Sequence, residues 1–173
     1  MTAIVEVGPV TVRGPGAVAP EQVRQAIDGI DDPIVLLDER PVAVRSLWRD
    51  ILEAALPELP GTIAVVVPTW WPLARSELLT AAAGELGADV TVVARAAVFA
   101  EGTPATVVEV STDVVVIAAP GSPPAASPRN DAALIDLLTD TTAVLFDVPA
   151  GVDQPTPAVI AQLRTSGVPV SFS

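Results

Sequence analysis

The run Thr62-Ile-Ala-Val-Val-Val, stopped by Pro68, sets the first limit on the fold. All its residues except Ala64 are β-branched or apolar and β-branched, and none is charged, so it reads as a strand buried on both faces. A strand of that kind needs layers of helix on either side, which points to an α/β chain. Half of the 173 residues are hydrophobic but only 3% are aromatic, so the core has to be assembled from Val, Ala, Leu and Ile. The length suffices for one compact domain or two small lobes.

The same composition restricts the chemistry. All nine basic residues are arginines, and the chain has no Lys, His, Cys or Tyr. This removes the Ser-His-Asp triad, cysteine nucleophiles, Schiff-base lysines, the phosphate-loop lysine, and thiolate or imidazole metal sites. Carboxylates, hydroxyls, arginines and backbone amides remain. Acids outnumber bases by 21 to 9, giving a net charge of −12, and the acids are spread along the chain. Nucleic acid and anionic lipid are therefore disfavoured partners, because both demand cations that neutralise phosphates. Apolar stretches such as Val114 to Pro120 fall far short of the roughly 20 residues of a membrane span. Met-Thr-Ala-Ile-Val-Glu at the start lacks the basic and apolar segments of a signal peptide, so the expected setting is cytoplasmic.

Local signals give an element order. Residues 3–7 and 10–13 read as a hairpin around Gly8-Pro9, broken by Gly14-Pro15-Gly16. A helix from Glu21, with Val23, Ala26, Ile27 and Ile30 at helical spacing, ends at Asp31-Asp32-Pro33. Strands at 34–37 and 42–44 follow, then a helix from Ser46 to about Leu56 whose inward face holds Leu47, Ile51 and Ala55, with Trp48 read as core. After the 62–67 strand, a helix begins at Pro72 and stops at Gly87, a strand spans 89–93, and a short helix spans 94–100. Near Gly102-Thr103-Pro104 the order restarts: strands 105–110 and 113–118, a Pro/Ser/Ala-rich loop over 119–129, a helix from Asn130, a strand at 142–148, a helix begun by Thr156-Pro157, and a strand at 168–172. The second half echoes the first in shortened form, which gives two lobes, residues 1–102 and 103–173.

The stretch Thr62 to Val93 resembles the actin-like ATPases, especially the heat-shock chaperone branch. In that family a strand ending in Val-Pro-Ala precedes an Arg-bearing helix, then Ala-Gly, a further strand and an Ala-rich helix. Here these are Val67-Pro68, the helix with Arg75, Ala83-Gly84 and Ala94 to Ala100, with the family's Glu-Pro missing. The resemblance implies an actin-like, ribonuclease H-like architecture of two tandem sheet-and-helix lobes. It also implies phosphate loops in the two hairpins, where backbone N–H groups would cradle phosphates and a carboxylate would hold the Mg²⁺ shell. The counterparts are degenerate: Glu6-Val7-Gly8-Pro9 in the first hairpin and Glu109-Val110-Ser111-Thr112-Asp113 in the second. Pro9 has no N–H, the second hairpin has no glycine, and the family's lysine is absent. ATP hydrolysis is not expected, and no cofactor is; Glu6, Gly8, Glu109, Ser111 and Thr112 would touch nucleotide only if ATP and Mg²⁺ bound at all. Leu145 to Gly151 partly matches the family's adenosine-side segment but reads more simply as a strand-to-helix loop.

A second resemblance is carried by Asp31 to Val44, the Leu-Trp helix after it, and Val67-Pro-Thr-Trp-Trp71. These segments are similar to the alanine- and valine-rich type VII secretion-associated proteins of mycobacteria and their relatives. That similarity implies a non-catalytic scaffold accessory to secretion, with protein partners among the secretion components, and membrane association only through those partners or a further C-terminal region. Homodimerisation stays open. Trp70 and Trp71 are the candidate contact residues, one of them expected to be exposed, because tryptophan is enriched in binding hot spots. Two alternatives stand beside this reading. One is a weak actin-like nucleotide binder or ATPase in which Glu6 and Glu109 act as an acid-base pair or flank Mg²⁺. The other is an unrelated doubly wound domain holding a small ligand at its strand ends, which would show a single continuous sheet.

Overall fold

A computed structural model describes residues 2–56, 58 and 61–173 of the chain. They form two compact units, Met1–Val93 and Ala94–Ser173.

The first unit opens with β1 (Thr2–Val7) and β2 (Val12–Arg13), an antiparallel hairpin that sets Glu6 opposite Arg13. Helix α1 (Pro20–Asp28) starts with a proline at its first turn, where the missing N–H costs nothing. Strands β3 (Ile34–Leu37) and β4 (Arg40–Ala43) pair only with each other, as a separate antiparallel ribbon. Helix α2 (Val44–Ala55), strand β5 (Thr62–Val67), helix α3 (Leu73–Gly84) and strand β6 (Asp89–Ala94) complete the unit. The main sheet runs β2-β1-β5-β6, with β1 and β5 parallel. Its core joins Val5, Val7, Ile63, Val65 and Val67 to Leu47, Trp48, Ile51 and Leu52 of α2 and Leu79 of α3. Burying side chains of this size stabilises by about 1.5–3 kcal/mol each. Gly16 fits close to the end of α2, donating its N–H to the Ala55 carbonyl at 2.8 Å, and a β-carbon there would collide with the Ala54 carbonyl.

Two local expectations change. Burial along β5 alternates, with Ile63, Val65 and Val67 enclosed and Thr62, Ala64 and Val66 half-buried, so one face of this strand is only partly covered. Helix α2 starts at Val44 with no side-chain cap, which leaves Ser46 inside the first turn.

The second unit begins with α4 (Arg95–Glu101) and continues through β7 (Thr106–Val110), β8 (Val114–Ala118), β9 (Ala125–Pro128), α5 (Asp131–Leu138), β10 (Val144–Asp147), α6 (Pro157–Thr165) and β11 (Val170–Phe172). Its sheet runs β11-β10-β7-β8-β9: an antiparallel meander of β7, β8 and β9, with β10 and β11 parallel to β7 on the other side. Phe146, Leu134, Leu138, Val159 and Leu163 build the core against Val108 and Val110. The starts of α5 and α6 carry side-chain caps: Asn130 accepts from the Ala133 N–H at 3.1 Å and Thr156 from the Val159 N–H at 3.4 Å.

Tandem sheets, each opened by an antiparallel hairpin, make the two-lobe α/β architecture expected of an actin-like chain, in place of one continuous doubly wound sheet. The sequence reading ended the first lobe at 102. In the structure α4 packs on β7 and β8 of the second unit, because its Arg95 is paired there. The second unit has fewer residues, yet its sheet has five strands against four. The extra strand is β9, which lies within the stretch read as a Pro/Ser/Ala-rich loop.

Candidate functional site

The site residues named from the sequence fall at the hairpins of the two units. In the first unit, Glu6 is half-buried near the end of β1, in register with Arg13 on one side and Val66 on the other. Gly8 is buried in the turn and donates its N–H to the Thr11 carbonyl at 2.7 Å. A β-carbon on Gly8 would come within 2.9 Å of Thr11 Oγ1, so this glycine serves a tight turn. The Gly8 amide is spent on the turn, and Pro9 supplies none.

In the second unit, Ser111 donates its N–H to the Val114 carbonyl at 2.9 Å, closing the turn between β7 and β8, while Thr112 projects into solvent. The turn is also held from outside. Arg129 donates from Nη1 to the Ser111 carbonyl at 2.8 Å and from Nη2 to the carbonyls of Asp153 at 2.8 Å and Gln154 at 3.0 Å. Its own N–H bonds the Asp113 carbonyl at 2.8 Å. One guanidinium therefore pegs the hairpin turn to the loop between β10 and α6.

Below the turn lies a charged cluster. Glu109 on β7 is fully buried and stands in register with Asp147 on β10, also fully buried. Arg95, at the start of α4, grips Asp147 through Nε to Oδ2 and through Nη2 to Oδ1 at 2.9 Å. Ser173 Oγ adds a bond to Asp147 Oδ1 at 2.7 Å, and the Ser173 N–H reaches the Phe146 carbonyl at 3.0 Å. The Arg95 guanidinium also lies over the Phe99 ring, 5.3 Å from its centroid. A buried carboxylate is tolerated only when paired and hydrogen-bonded, and Asp147 has both. As arranged, its two oxygens are taken up by Arg95 and Ser173, and it is shut away from solvent.

Glu109, named as a residue of the second hairpin's degenerate nucleotide loop, is fully buried. Arg95, Asp147 and Arg129 were not singled out at all. Asp147 did leave a signal, since a carboxylate inside Leu145-Phe-Asp-Val148 has to find a cation if the strand is buried. Nothing in a lone sequence identifies which of nine arginines provides it.

Trp70 and Trp71 follow β5 and pack edge to face, with ring centroids 6.4 Å apart. Neither projects into solvent: Trp71 is buried and Trp70 half-buried against the first core. The expected exposed indole is absent because the pair closes the end of the sheet. Arg75 of α3 lies over Trp71 at 5.4 Å and forks onto Asp31, with Nε to Oδ1 at 2.9 Å and Nη2 to Oδ2 at 2.5 Å. That guanidinium holds the Asp31 carboxyl below the usual carboxylate range.

These residues do not suit a magnesium-bound triphosphate. Gly8 and Ser111 spend their amides closing their own turns, and Arg129 beside the second turn is engaged by three carbonyls. Among the described residues no group of three or more His, Cys, Asp or Glu is placed to hold a metal ion. No helix among them is long and apolar enough to cross a membrane.

No protein-family model matches the sequence, and no curated protein matches it. Among solved structures the chain is similar to the ethanolamine utilization protein EutJ from Carboxydothermus hydrogenoformans, at 13% identity and a TM-score of 0.46, over 98% of this chain and 83% of that one.

Proposed function

We propose that this chain is a non-catalytic, actin-like scaffold domain that acts through protein contacts. The observation that carries the reading is the closed state of both hairpin turns: Gly8 bonded to Thr11, Ser111 to Val114, and Arg129 pegging the second turn from outside. A nucleotide pocket needs free, converging amides at those places. The absence of lysine and histidine points the same way, since the remaining side chains offer no phosphate-binding ammonium and no proton shuttle at neutral pH.

The finer assignment, a cytoplasmic accessory of type VII secretion with partners among the secretion components, is supported by the resemblance of Asp31 to Val44 and of Val67 to Trp71. Two measurements test the proposal. Millimolar Mg-ATP leaves the melting temperature of the chain unchanged; a clear upward shift, required by linkage for any ligand of the native state, overturns the non-catalytic reading. Tagged chain expressed in its own host co-purifies with proteins of the secretion locus, and their absence from the eluate removes the secretion assignment.

A further inference from the structure

The ribbon of β3 and β4 has one face committed and one face open. Val35, Leu37 and Val42 pack against the first core. On the other side Ile34 and Leu36 are 57% and 63% exposed. Cross-strand register places Ala43 beside Ile34 and Pro41 beside Leu36, both exposed as well, so four apolar residues form a continuous outward patch. At the root of the ribbon, Ile30, Pro33, Val44 and Leu78 line a hollow of about 260 Å³ together with Asp31 and Asp32 and with Arg45 and Arg75, which are paired to Glu85 and Asp31.

Both ends of this patch are acidic. Asp31 and Asp32 stand before β3, and Asp38 and Glu39 form the turn. Arg40 is the one basic residue within the ribbon. The turn residues have φ values of 49° and 63°, a left-handed conformation that costs an ordinary L-residue roughly 1–2 kcal/mol and glycine far less. The tip of the ribbon therefore presents two exposed carboxylates on a left-handed turn.

Pro41 decides between docking on the edge and docking on the face. The pair flanking a two-residue turn, Leu37 and Arg40, is hydrogen-bonded, so the next pair, Leu36 and Pro41, directs its backbone N–H positions outward. Proline leaves that place on the β4 edge without a donor, which discourages strand addition.

We infer that the outer face of the β3–β4 ribbon docks an amphipathic helix of a partner protein, one with an apolar stripe and Lys or Arg at both of its ends. Ile34, Leu36, Pro41 and Ala43 receive the stripe, Asp32 receives the cation at the root, where Asp31 is already held by Arg75, and Asp38 and Glu39 receive the cation at the tip. The inference rests on the scaffold reading and gives it a surface and a partner chemistry.

The test uses the full chain and three synthetic helical peptides of about 18 residues, long enough to hold a helix: one with a Leu stripe and lysines at both ends, one with glutamates in place of the lysines, and a scrambled lysine peptide. Fluorescence anisotropy shows saturable binding of the first and none of the other two. The double variant Ile34→Ser with Leu36→Ser weakens that binding by about tenfold or more, as expected for losing two apolar contacts. Asp38→Asn with Glu39→Asn, which suits the left-handed turn and preserves folding, weakens it several-fold and flattens its salt dependence. Equal binding of the glutamate peptide, binding untouched by either double variant, or no binding of the lysine peptide overturns the inference. So does a concentration-dependent dimer that the Ile34→Ser, Leu36→Ser variant abolishes, since the face would then serve a second copy of the chain. Failure of the scaffold reading is registered separately, by the Mg-ATP melting shift, which does not involve the ribbon.

Discussion

Arg95 and Asp147 meet in the interior of the second unit with 7% and 0% of their surfaces exposed, joined by two parallel hydrogen bonds. The pair links the first helix of the unit to its fourth strand in sequence, across 52 residues. Breaking such a pair from one side is far costlier than the pair itself is worth, because it strands a charge away from water.

Replacing Arg95 by Met is therefore expected to lower unfolding free energy by about 3–5 kcal/mol. Adding Asp147→Asn to that variant removes the stranded charge and recovers part of the loss. Urea denaturation followed by circular dichroism measures both, and equal stability of the single variant and the wild type would show that the pair is not buried in solution.

Arg129→Ala removes three side-chain hydrogen bonds to carbonyls. The expected cost is about 1–3 kcal/mol, and the effect is local. Hydrogen exchange at 111–113 and 152–156 speeds up, while amides of α5 and the centre of β7 keep their protection. Uniform acceleration across the unit would mean that Arg129 does more than peg two loops.

Glu39→Gly relieves the left-handed residue at the tip of the ribbon. Stability rises by about 0.5–1 kcal/mol, the gain from lower backbone strain outweighing the extra freedom of the unfolded chain. A shift of the urea midpoint to lower concentration would contradict the strained conformation.

The Asp31–Arg75 bridge gives a sign for pH dependence. The folded-state pKa of Asp31 lies below its unfolded value of about 4, so the unfolded chain binds the proton first as pH falls. Its contribution is complete above pH of about 4 and disappears as pH drops through the folded value. Because Asp31 is 65% exposed, solvent screens the pair and the contribution stays under about 1 kcal/mol. Asp31→Asn is thus less stable than wild type at pH 7, and the difference narrows as pH falls below about 4; a gap that widened on acidification would reverse the assignment.

Much of the framework could be read from residues that carry their own local instructions. Thr62–Val67 was located to the residue by its β-branched run and Pro68, and Thr156-Pro157 announced the start of its helix. Strand β9 was not legible, because Ala125-Ala-Ser-Pro128 has neither β-branched residues nor alternation. It is a strand only because β8 offers it a ladder. The hairpins were placed correctly, and the loss of an amide at Pro9 could be seen directly. The self-bonding of Gly8 and Ser111, the peg of Arg129 and the burial of Glu109 depend on residues brought together from distant parts of the sequence, which no local pattern encodes.

The flanks of the second sheet have a bearing on how the chain behaves when crowded. Strand β9 is four residues long and ends in Pro128, and β11 has three residues. Rails that short give a neighbouring molecule little to zip along, and the proline interrupts one of them. Fibrillar misassembly of this unit, rich though it is in valine, has to start from unfolded strands such as Val114–Ala118 and not from the native sheet. Its shelf life in concentrated solution is accordingly set by how often the fold opens.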